Sequence, residues 1–547
     1  MRSSASGADR RFYEVAESYI FRYLELDPIA ATYMGVHKYD SQMPRGDKRG
    51  VMEVRNLMLE FSSALEEVEE GRLSPEARID YRLCRDAISL HLFAIDELQL
   101  WRKFPFASTK IGDAIFPLFA REFAPFPDRF ASIVSRLEKC PRFLRESMEC
   151  LEDPIEVYID VAVEASRRLP HLLDAVYEAG RKELGEESDL VERARHAIET
   201  LNTQLVDYIG WLEDRRAGAR RDFAIGRERY AKLLRMKGID MGPEEVLRLG
   251  ERYFSQIKRR LVELASRIAP GGTVEDARKI VESEAPASFD EVLEEYRKAV
   301  ERARRFVVER RIAPIPERER IVIVETPHYL RTMIPFAAYF PPAPFDEERV
   351  GLYMVTPPER PEQMRRHNRY SISNTAVHEA YPGHHLQLSW AAAVRNLVRL
   401  FYKSDVFIEG WAHYCEDLMK EYGFDDTDRH RFVQLLDALW RAARVILDVK
   451  LATGEMSFEE AVEFLVREVG MDREAAAAEV KRYTLTPGYQ LAYLVGKHML
   501  VKLREEVRRV LGEKYNDYRF HEVVLKSGGL PYKYLRELVM EKLREES

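Results

Sequence analysis

Apolar residues recur at intervals of three and four along most of the chain, with charged residues between them. The pattern is clear in FYEVAESYIFRYLEL (12–26), VERARHAIETLNTQLVDYIGWLEDRRAG (191–218) and SFDEVLEEYRKAVERARRFVVER (288–310). A period near 3.6 residues is typical of amphipathic helices that bury one face. The pattern therefore predicts that the first 310 residues form one long helical region.

The pattern changes between residues 317 and 358. Here β-branched and aromatic residues form short runs that prolines interrupt, which is typical of short strands with the proline-containing ones at a sheet edge. Helical periodicity then returns and continues to the C-terminus. We predict a mainly α fold with one small β-sheet, divided into a helical region (1–310) and a second region (311–547) that contains the sheet.

Composition narrows the class of protein. The 547 residues are 46% hydrophobic and 33% charged, as in folded globular proteins. The formal net charge of −8 offers no basic surface, so no nucleic-acid partner is expected. The N-terminus lacks an apolar leader, and no apolar run of about 18 residues is long enough to span a bilayer. The sequence therefore predicts a soluble, cytoplasmic protein with no membrane partner.

The cysteines bear on the choice of metal ligands. The chain has four, and none stands in a C-x-x-C pair, so neither a disulfide scaffold nor a thiolate zinc cluster is indicated. Any metal ion must therefore be held by histidines and carboxylates.

One short motif, HEAYPGHHLQL (378–388), places three of the 13 histidines beside a glutamate. The zinc-protease signature has two histidines four residues apart on one helical face. Here the residue four positions after His378 is a proline, Pro382. If Tyr381–Pro382 is a two-residue insertion in the helix, His378 and His384 regain the usual pairing. In the alternative register the helix restarts and offers His385 instead.

A third ligand is predicted on the helix SDVFIEGWAHYCEDLMKEYG (404–423), for which Ser404 is a candidate N-cap. Its polar stripe has spacings of four, three and four and consists of Glu409, His413, Glu416 and Lys420. A solvated helix face with ion pairs gives the same pattern. However, Glu409 follows the nearest predicted ligand, His384, by 25 positions, which leaves room for a turn and a helix that returns past the metal. A second His-Glu dipeptide, in HEVVL (521–525), has no following histidine, and we interpret it as plain helix.

The motifs HEAYPGHHLQ and EGWAHYCEDLM resemble the bacterial and archaeal family called domain of unknown function 885, which is regarded as metallopeptidase-like. The segments DPIAATYMGVHKYDSQMP (27–44) and RYTLTPGYQLAYLVGK (482–497) extend the resemblance over nearly the whole chain. More distantly, the order of zinc ligands and base in thermostable carboxypeptidases and thimet-type oligopeptidases is similar to that of His378, Glu379, His384 and Glu409. Those enzymes are large, helical and built around a deep groove.

The resemblance implies a metallopeptidase-like fold with a deep groove, one wall of which is the helical region 1–310, while 311–547 is the catalytic region. It also implies one Zn²⁺ per chain, held by His378, His384 and Glu409. Such an ion polarises a water molecule and a substrate carbonyl. Glu379, adjacent to a ligand, is then expected to be the base that activates the zinc-bound water. The expected substrate is a peptide.

Three residues are candidates to stabilise the oxyanion of a tetrahedral intermediate. Tyr489 and Tyr493 stand one turn apart on a helix predicted to begin at Thr486–Pro487. Core packing is the competing interpretation for both tyrosines. His413 is the third candidate, or else it supports a metal ligand from behind.

Three further residues are candidate substrate contacts. His385 is one of them if it points away from the metal. Arg482 is a candidate to bind a substrate carboxylate. The predicted strand GLYMVT (351–356), which carries Tyr353, is a candidate to pair with an extended peptide through its backbone edge.

The sequence thus predicts a zinc-dependent hydrolase that cleaves peptide bonds in peptides or oligopeptides, in the manner of a carboxypeptidase or an oligopeptidase. Two alternatives come from other classes. A non-catalytic metal-binding helical protein predicts that Glu379 is dispensable. A di-iron carboxylate oxidase needs two Glu-x-x-His pairs, and the chain offers Glu325–His328, with Pro327 inside it.

Overall fold

Helices make up most of the fold, as the spacing of apolar residues predicts. The computed structural model of the protein describes residues 7–327, 331, 334, 336–346, 349–358 and 360–545. These residues fall into two compact units. None of their helices combines the length and the apolar character that crossing a membrane requires. The predicted fold class, mainly α with a small sheet, is confirmed.

The first unit contains the described residues up to Phe223 together with 343–346. Its helices are α1 (Gly7–Leu26), α2 (Pro28–Met34), α3 (Lys48–Glu66), α4 (Pro75–Phe93), α5 (Leu100–Lys103), α6 (Ala107–Ala120), α7 (Phe126–Met148), α8 (Glu156–Leu184) and α9 (Asp189–Arg216). Buried positions in α9 follow the three-and-four spacing and include Val191, Ala194, Ile198, Leu201 and Leu205. The helix predicted at 191–218 is therefore confirmed, with both ends two residues earlier.

The second unit contains the other described residues, from Ala224 onward. Its helices are α10 (Arg227–Met236), α11 (Pro243–Ile268), α12 (Val274–Glu282), α13 (Phe289–Glu309), α14 (Arg369–Glu379), α15 (His384–Val394), α16 (Leu397–Phe401), α17 (Asp405–Glu421), α18 (Asp428–Thr453), α19 (Phe458–Phe464), α20 (Arg473–Leu485), α21 (Ala492–Leu511), α22 (Asp517–Lys526) and α23 (Tyr532–Glu545). The division of the chain thus falls at residue 223 and differs from our predicted boundary at residue 310. The physical reason is that α11 packs along α18, so closely that a Cβ at Gly250 would lie 2.9 Å from Val445.

The small sheet of the described residues lies in the segment predicted for it. Its strands are β1 (Glu319–Glu325), β2 (Ala337–Phe340) and β3 (Arg349–Val355), in the order β1–β3–β2. Strand β3 pairs in parallel with β1 and antiparallel with β2. Because its backbone is paired on both sides, our prediction that residues 351–356 pair with a peptide is wrong. The local pattern identified a strand but held no information on its neighbours.

Helices α17 and α21 cross where two glycines face each other. A Cβ at Gly496 would lie 1.9 Å from the Val406 carbonyl oxygen, and a Cβ at Gly410 would lie 2.5 Å from the Gly496 backbone. Backbone atoms cannot move aside as a flexible side chain can. The crossing therefore requires glycine at both positions, and it sets α21 against the helix that carries Glu409.

We expect Gly496→Ala to lower the free energy of unfolding by about 1–3 kcal/mol, because the new methyl group overlaps the backbone of α17. The matched control is Gly210→Ala in α9, where a Cβ meets open space. That control should be neutral or slightly stabilising, since alanine is the better helix former. Thermal unfolding followed by circular dichroism measures both, and equal midpoints in the two variants would contradict this account.

Candidate metal centre

Helix α14, which carries the first predicted ligand, starts and stops at defined side chains. Asn368 caps it by accepting hydrogen bonds from the backbone N–H groups of Tyr370 and Ser371. The helix ends at Glu379, so His378 and Glu379 occupy its last turn. Both residues therefore stand where the chain turns from α14 toward α15.

The Tyr381–Pro382 insertion separates these two helices. The N–H groups of Gly383 and Leu386 each bond to the carbonyl six residues earlier, at 3.1 and 3.3 Å. An α-helix uses a four-residue step, so both bonds span two extra residues, which is the geometry that the insertion requires. A Cβ at position 383 would lie 1.9 Å from the carbonyl oxygen of His378. This close approach admits only glycine.

His378, His384 and Glu409 converge on one point. Each of them offers a donor atom within 4.8 Å of the other two. The Glu409 Oε2 oxygen lies 3.3 Å from His384 Nε2 and 4.0 Å from His378 Nε2. All three residues are buried, with at most 9% of their surface exposed. The structure thus brings His384, and not its neighbour His385, beside the other two.

The donor set fits a divalent cation. Glu409 Oε2 is buried and makes no hydrogen bond within the described residues, and a buried polar atom left without one is costly. Ligands about 2.0–2.2 Å from a tetrahedral zinc ion lie about 3.3–3.6 Å apart. The 3.3 Å separation of Glu409 and His384 falls in this range, and the 4.0 Å separation of Glu409 and His378 is slightly wider. Burial would raise the pKa of Glu409, but His384 and His378 lower it to about 2. The carboxylate is therefore charged and available to a metal.

A second buried carboxylate orients His378 from the other side. Glu416 Oε1 accepts a hydrogen bond from His378 Nδ1 at 2.7 Å, which leaves Nε2 facing Glu409. Arg441 lies 3.0 Å from the same oxygen. Burial would raise the pKa of Glu416, but Arg441 and His413 hold it well below its ordinary value. A carboxylate partner of this kind fixes the tautomer of a ligating histidine and raises its basicity.

Glu416 and Arg441 were not among the predicted site residues. The sequence does contain a pattern that points to Glu416. It follows Glu409 by seven positions and so lies two turns further along the same helical face. Arg441 comes from α18, and no sequence pattern links it to α17. Only the tertiary structure, in which α14 packs against both α17 and α18, brings its guanidinium to Glu416.

Tyr489 lies against a candidate ligand, since its hydroxyl donates to Glu409 Oε1 at 2.7 Å. The prediction that a helix begins at Thr486–Pro487 is wrong, because α21 begins only at residue 492 and a turn precedes it. The cause is Asp448, buried in α18. Its carboxylate accepts two backbone N–H groups of the turn, at 2.7 and 3.1 Å, and these bonds hold Tyr489 at Glu409.

The other two predicted oxyanion donors differ in their environments. The ring of Tyr493 stacks on His378 with the centroids 6.3 Å apart. Burial and the charge of Glu409 raise the pKa of Tyr493 to about 12, so its hydroxyl keeps its proton at neutral pH. His413 is fully buried with its Nδ1 atom 3.6 Å from Glu416 Oε2, and burial lowers its pKa to about 3. His413 is thus placed behind the donor group, next to Glu416.

Glu379, the predicted base, is half-buried at the end of α14. Burial would lower the pKa of His384, but the charges of Glu409 and Glu379 raise it above its ordinary value. The Glu379 carboxylate therefore acts electrostatically on the donor group. It is not one of the three residues whose donor atoms converge.

The predicted substrate contacts are placed very differently from one another. His385 and Tyr353 are fully buried, and Tyr353 lies on the central strand β3. The Arg482 side chain is 41% exposed and lies 2.6 Å from Glu479. Of these three residues, Arg482 is the one that solvent reaches.

The family model described as "Bacterial protein of unknown function (DUF885)" matches residues 28–539. The chain belongs to this family. The resemblance to domain of unknown function 885 is thus confirmed over nearly the whole chain. No curated protein matches the chain in sequence.

Two solved structures share the fold of this DUF885 member. One is a candidate lipoprotein of unknown function from Shewanella oneidensis, with 22% identity, a TM-score of 0.80, and coverage of 97% of this chain and 99% of that one. The other is a candidate lipoprotein from Colwellia psychrerythraea, with 18% identity, a TM-score of 0.86, and coverage of 98% and 99%.

These two structures contradict the cytoplasmic location that we predicted, because a lipoprotein is held at a membrane by its lipid. The prediction was wrong because it rested on an absence. A chain that lacks a membrane-spanning segment is not thereby placed in the cytoplasm.

We expect Glu416→Gln to weaken zinc affinity by about 10–100-fold, because the amide loses the charge that holds the His378 imidazole in place. The matched control is Glu421→Gln on the same helix, where the carboxylate is 53% exposed and pairs with Arg504. Competition with a chromogenic chelator measures the zinc dissociation constant of each variant. Equal affinities in the two variants would contradict the proposed role of Glu416.

Proposed function

We propose that this protein is a metal-dependent hydrolase that cleaves peptide bonds in peptides, with one zinc ion per chain held by His378, His384 and Glu409. The observation that carries the proposal is the convergence of these three buried donors beside a half-buried carboxylate, Glu379. Two histidines and a carboxylate, with a glutamate next to the first histidine, form the donor set of metal-assisted hydrolysis. When bound, the ion supplies a Lewis acid that polarises a water molecule and the substrate carbonyl.

Glu379 is the proposed base. Its carboxylate accepts a proton as the water oxygen attacks the peptide carbonyl carbon, and it passes that proton to the amine nitrogen when the C–N bond breaks. Glu409 and Glu416 are buried and lie against histidines. Glu379 is half-buried, so water and substrate can reach it.

Tyr493 is the proposed donor to the oxyanion. Tyr489 already donates to Glu409 at 2.7 Å, so its hydroxyl is occupied. His413 is fully buried next to Glu416. The hydroxyl of Tyr493 is protonated at neutral pH, with its pKa raised to about 12. One such donor typically lowers the barrier of acyl transfer by about 3 kcal/mol.

Peptides, and not folded proteins, are the proposed substrates. The three donor residues expose at most 9% of their surface, so only an extended segment can bring its carbonyl to them. Arg482 is the proposed contact for a substrate carboxylate. Its present partner, Glu479, also lies 3.3 Å from Arg444, so Glu479 keeps a cation when Arg482 turns to a substrate.

The competing functions make different demands on the site. A metal centre that serves structure alone would bind zinc at the same residues but would not need Glu379. For a di-iron centre, the described residues offer a single group of three ligands, the one around Glu409. His328 of the Glu325–His328 pair lies outside the described residues.

We expect the purified protein to contain one zinc ion per chain and His378→Ala to lose it, because that variant lacks one of three ligands. The matched control is His196→Ala on α9, where the histidine is exposed, and it should keep its zinc. Elemental analysis by mass spectrometry measures the metal content. Full zinc occupancy in His378→Ala would remove the metal assignment.

We expect Glu379→Gln to keep its zinc. Its rate of peptide hydrolysis should fall by about 10²–10⁴-fold or more, because the amide cannot accept a proton. The matched control is Glu522→Gln in the second His-Glu dipeptide, which lies in α22. A mixed-peptide digest read by mass spectrometry measures cleavage. Unchanged turnover in Glu379→Gln, or a zinc-loaded parent that cleaves no peptide, would contradict the proposed hydrolase.

A further inference from the structure

The adjacent histidines of the motif belong to two different groups of side chains. His384 faces Glu409, whereas His385 is fully buried and has both ring nitrogens bonded. Its Nε2 atom donates to Glu319 Oε2 at 2.6 Å, and its Nδ1 atom accepts from the Tyr339 hydroxyl at 2.9 Å. His385 is therefore fastened to strands β1 and β2.

Glu319 holds the insertion as well. The hydroxyl of Tyr381 donates to the same Oε2 oxygen at 2.5 Å, and Arg304 lies 3.2 Å from Oε1. Only 4% of the Glu319 side chain is exposed. Burial would raise the pKa of Glu319, but the bonds from His385 and Tyr381 hold it below its ordinary value. A charged carboxylate on β1 thus binds the chain on both sides of His384.

This double attachment restricts the direction in which His384 points. Tyr381 lies three residues before His384, and His385 lies one residue after it. The segment between the two attachments to Glu319 is therefore short. Trp411 holds its middle by donating from Nε1 to the Pro382 carbonyl at 2.8 Å. Successive residues of an α-helix point about 100° apart. With His385 turned to the sheet, His384 is turned away from the sheet and toward Glu409.

We propose that Glu319 is a positioning residue of the metal centre, because by fixing Tyr381 and His385 it directs His384 to the ion. The inference rests on the proposed metal centre, but not on the proposed hydrolysis. It assigns a role to a residue of β1 that lies 65 positions before His384 and outside every motif discussed above. It also gives His385 a structural partner in place of the substrate contact expected from the sequence.

The test compares Glu319→Gln with Glu325→Gln, a change of the same kind on the same strand, where the carboxylate is 48% exposed and pairs with Arg331. We expect Glu319→Gln to weaken zinc affinity by at least about tenfold and Glu325→Gln to leave it unchanged. Cobalt(II) substituted for zinc adds a spectroscopic readout, because its visible absorption depends on the number and arrangement of ligands. We expect the cobalt spectrum to change in Glu319→Gln alone. Tyr381→Phe, which removes one of the two bonds to Oε2, should give a smaller change of the same kind.

A merely structural role of Glu319 gives a different result. It would lower the thermal midpoint of the metal-free protein and leave the zinc affinity and the cobalt spectrum as in the parent, and that outcome overturns the proposal. If Glu319→Gln does not fold, Tyr381→Phe decides by the same measurements. A parent that binds zinc but cleaves no peptide removes the hydrolase and leaves the positioning role intact. A parent that binds neither metal overturns both.

Discussion

A buried carboxylate must have a compensating partner, and in this protein that requirement organises the second unit around helix α17. Glu409 and Glu416 stand two turns apart on this helix and are both buried. Each lies against a histidine that comes from the broken helix α14–α15. Through Trp411, helix α17 also donates a hydrogen bond to the carbonyl of Pro382, in the break between α14 and α15. It meets α21 at Gly410. Helix α17 therefore carries Glu409 and Glu416 and packs against α14, α15 and α21, the helices next to the candidate metal centre.

The three glutamates near the candidate centre differ in environment, and the difference matches the roles that we propose for them. Glu416 lies between His378 and Arg441, and these two neighbours keep its carboxylate charged. Glu409 keeps one oxygen bonded to Tyr489, while its other oxygen faces the two histidines. Glu379 alone is half-buried. A carboxylate that has to exchange protons with water needs this exposure, and a carboxylate that holds a ligand does not.

The two-residue insertion shows how a departure from a familiar motif is accommodated. Hydrogen bonds across the break span six residues, and Gly383 allows the close backbone approach on which they depend. Tyr381, one of the inserted residues, is anchored by Glu319 of β1. The insertion thus adds an attachment to the sheet that an unbroken helix would lack.

The sequence by itself determined the helices, the place of the small sheet and the residue types of the candidate centre. Helical periodicity, strand composition and ligand chemistry are local properties, so HEAYPGHH and the helix with Glu409 were visible without a structure. The tertiary structure decided that β3 is central, that α11 belongs with α18, that Tyr489 sits in a turn held by Asp448, and that Glu416, Arg441 and Glu319 surround the histidines. It also placed His384, and not His385, beside Glu409. Each of these outcomes depends on which distant segments meet in space, and a pattern within one segment cannot specify the segment that packs against it.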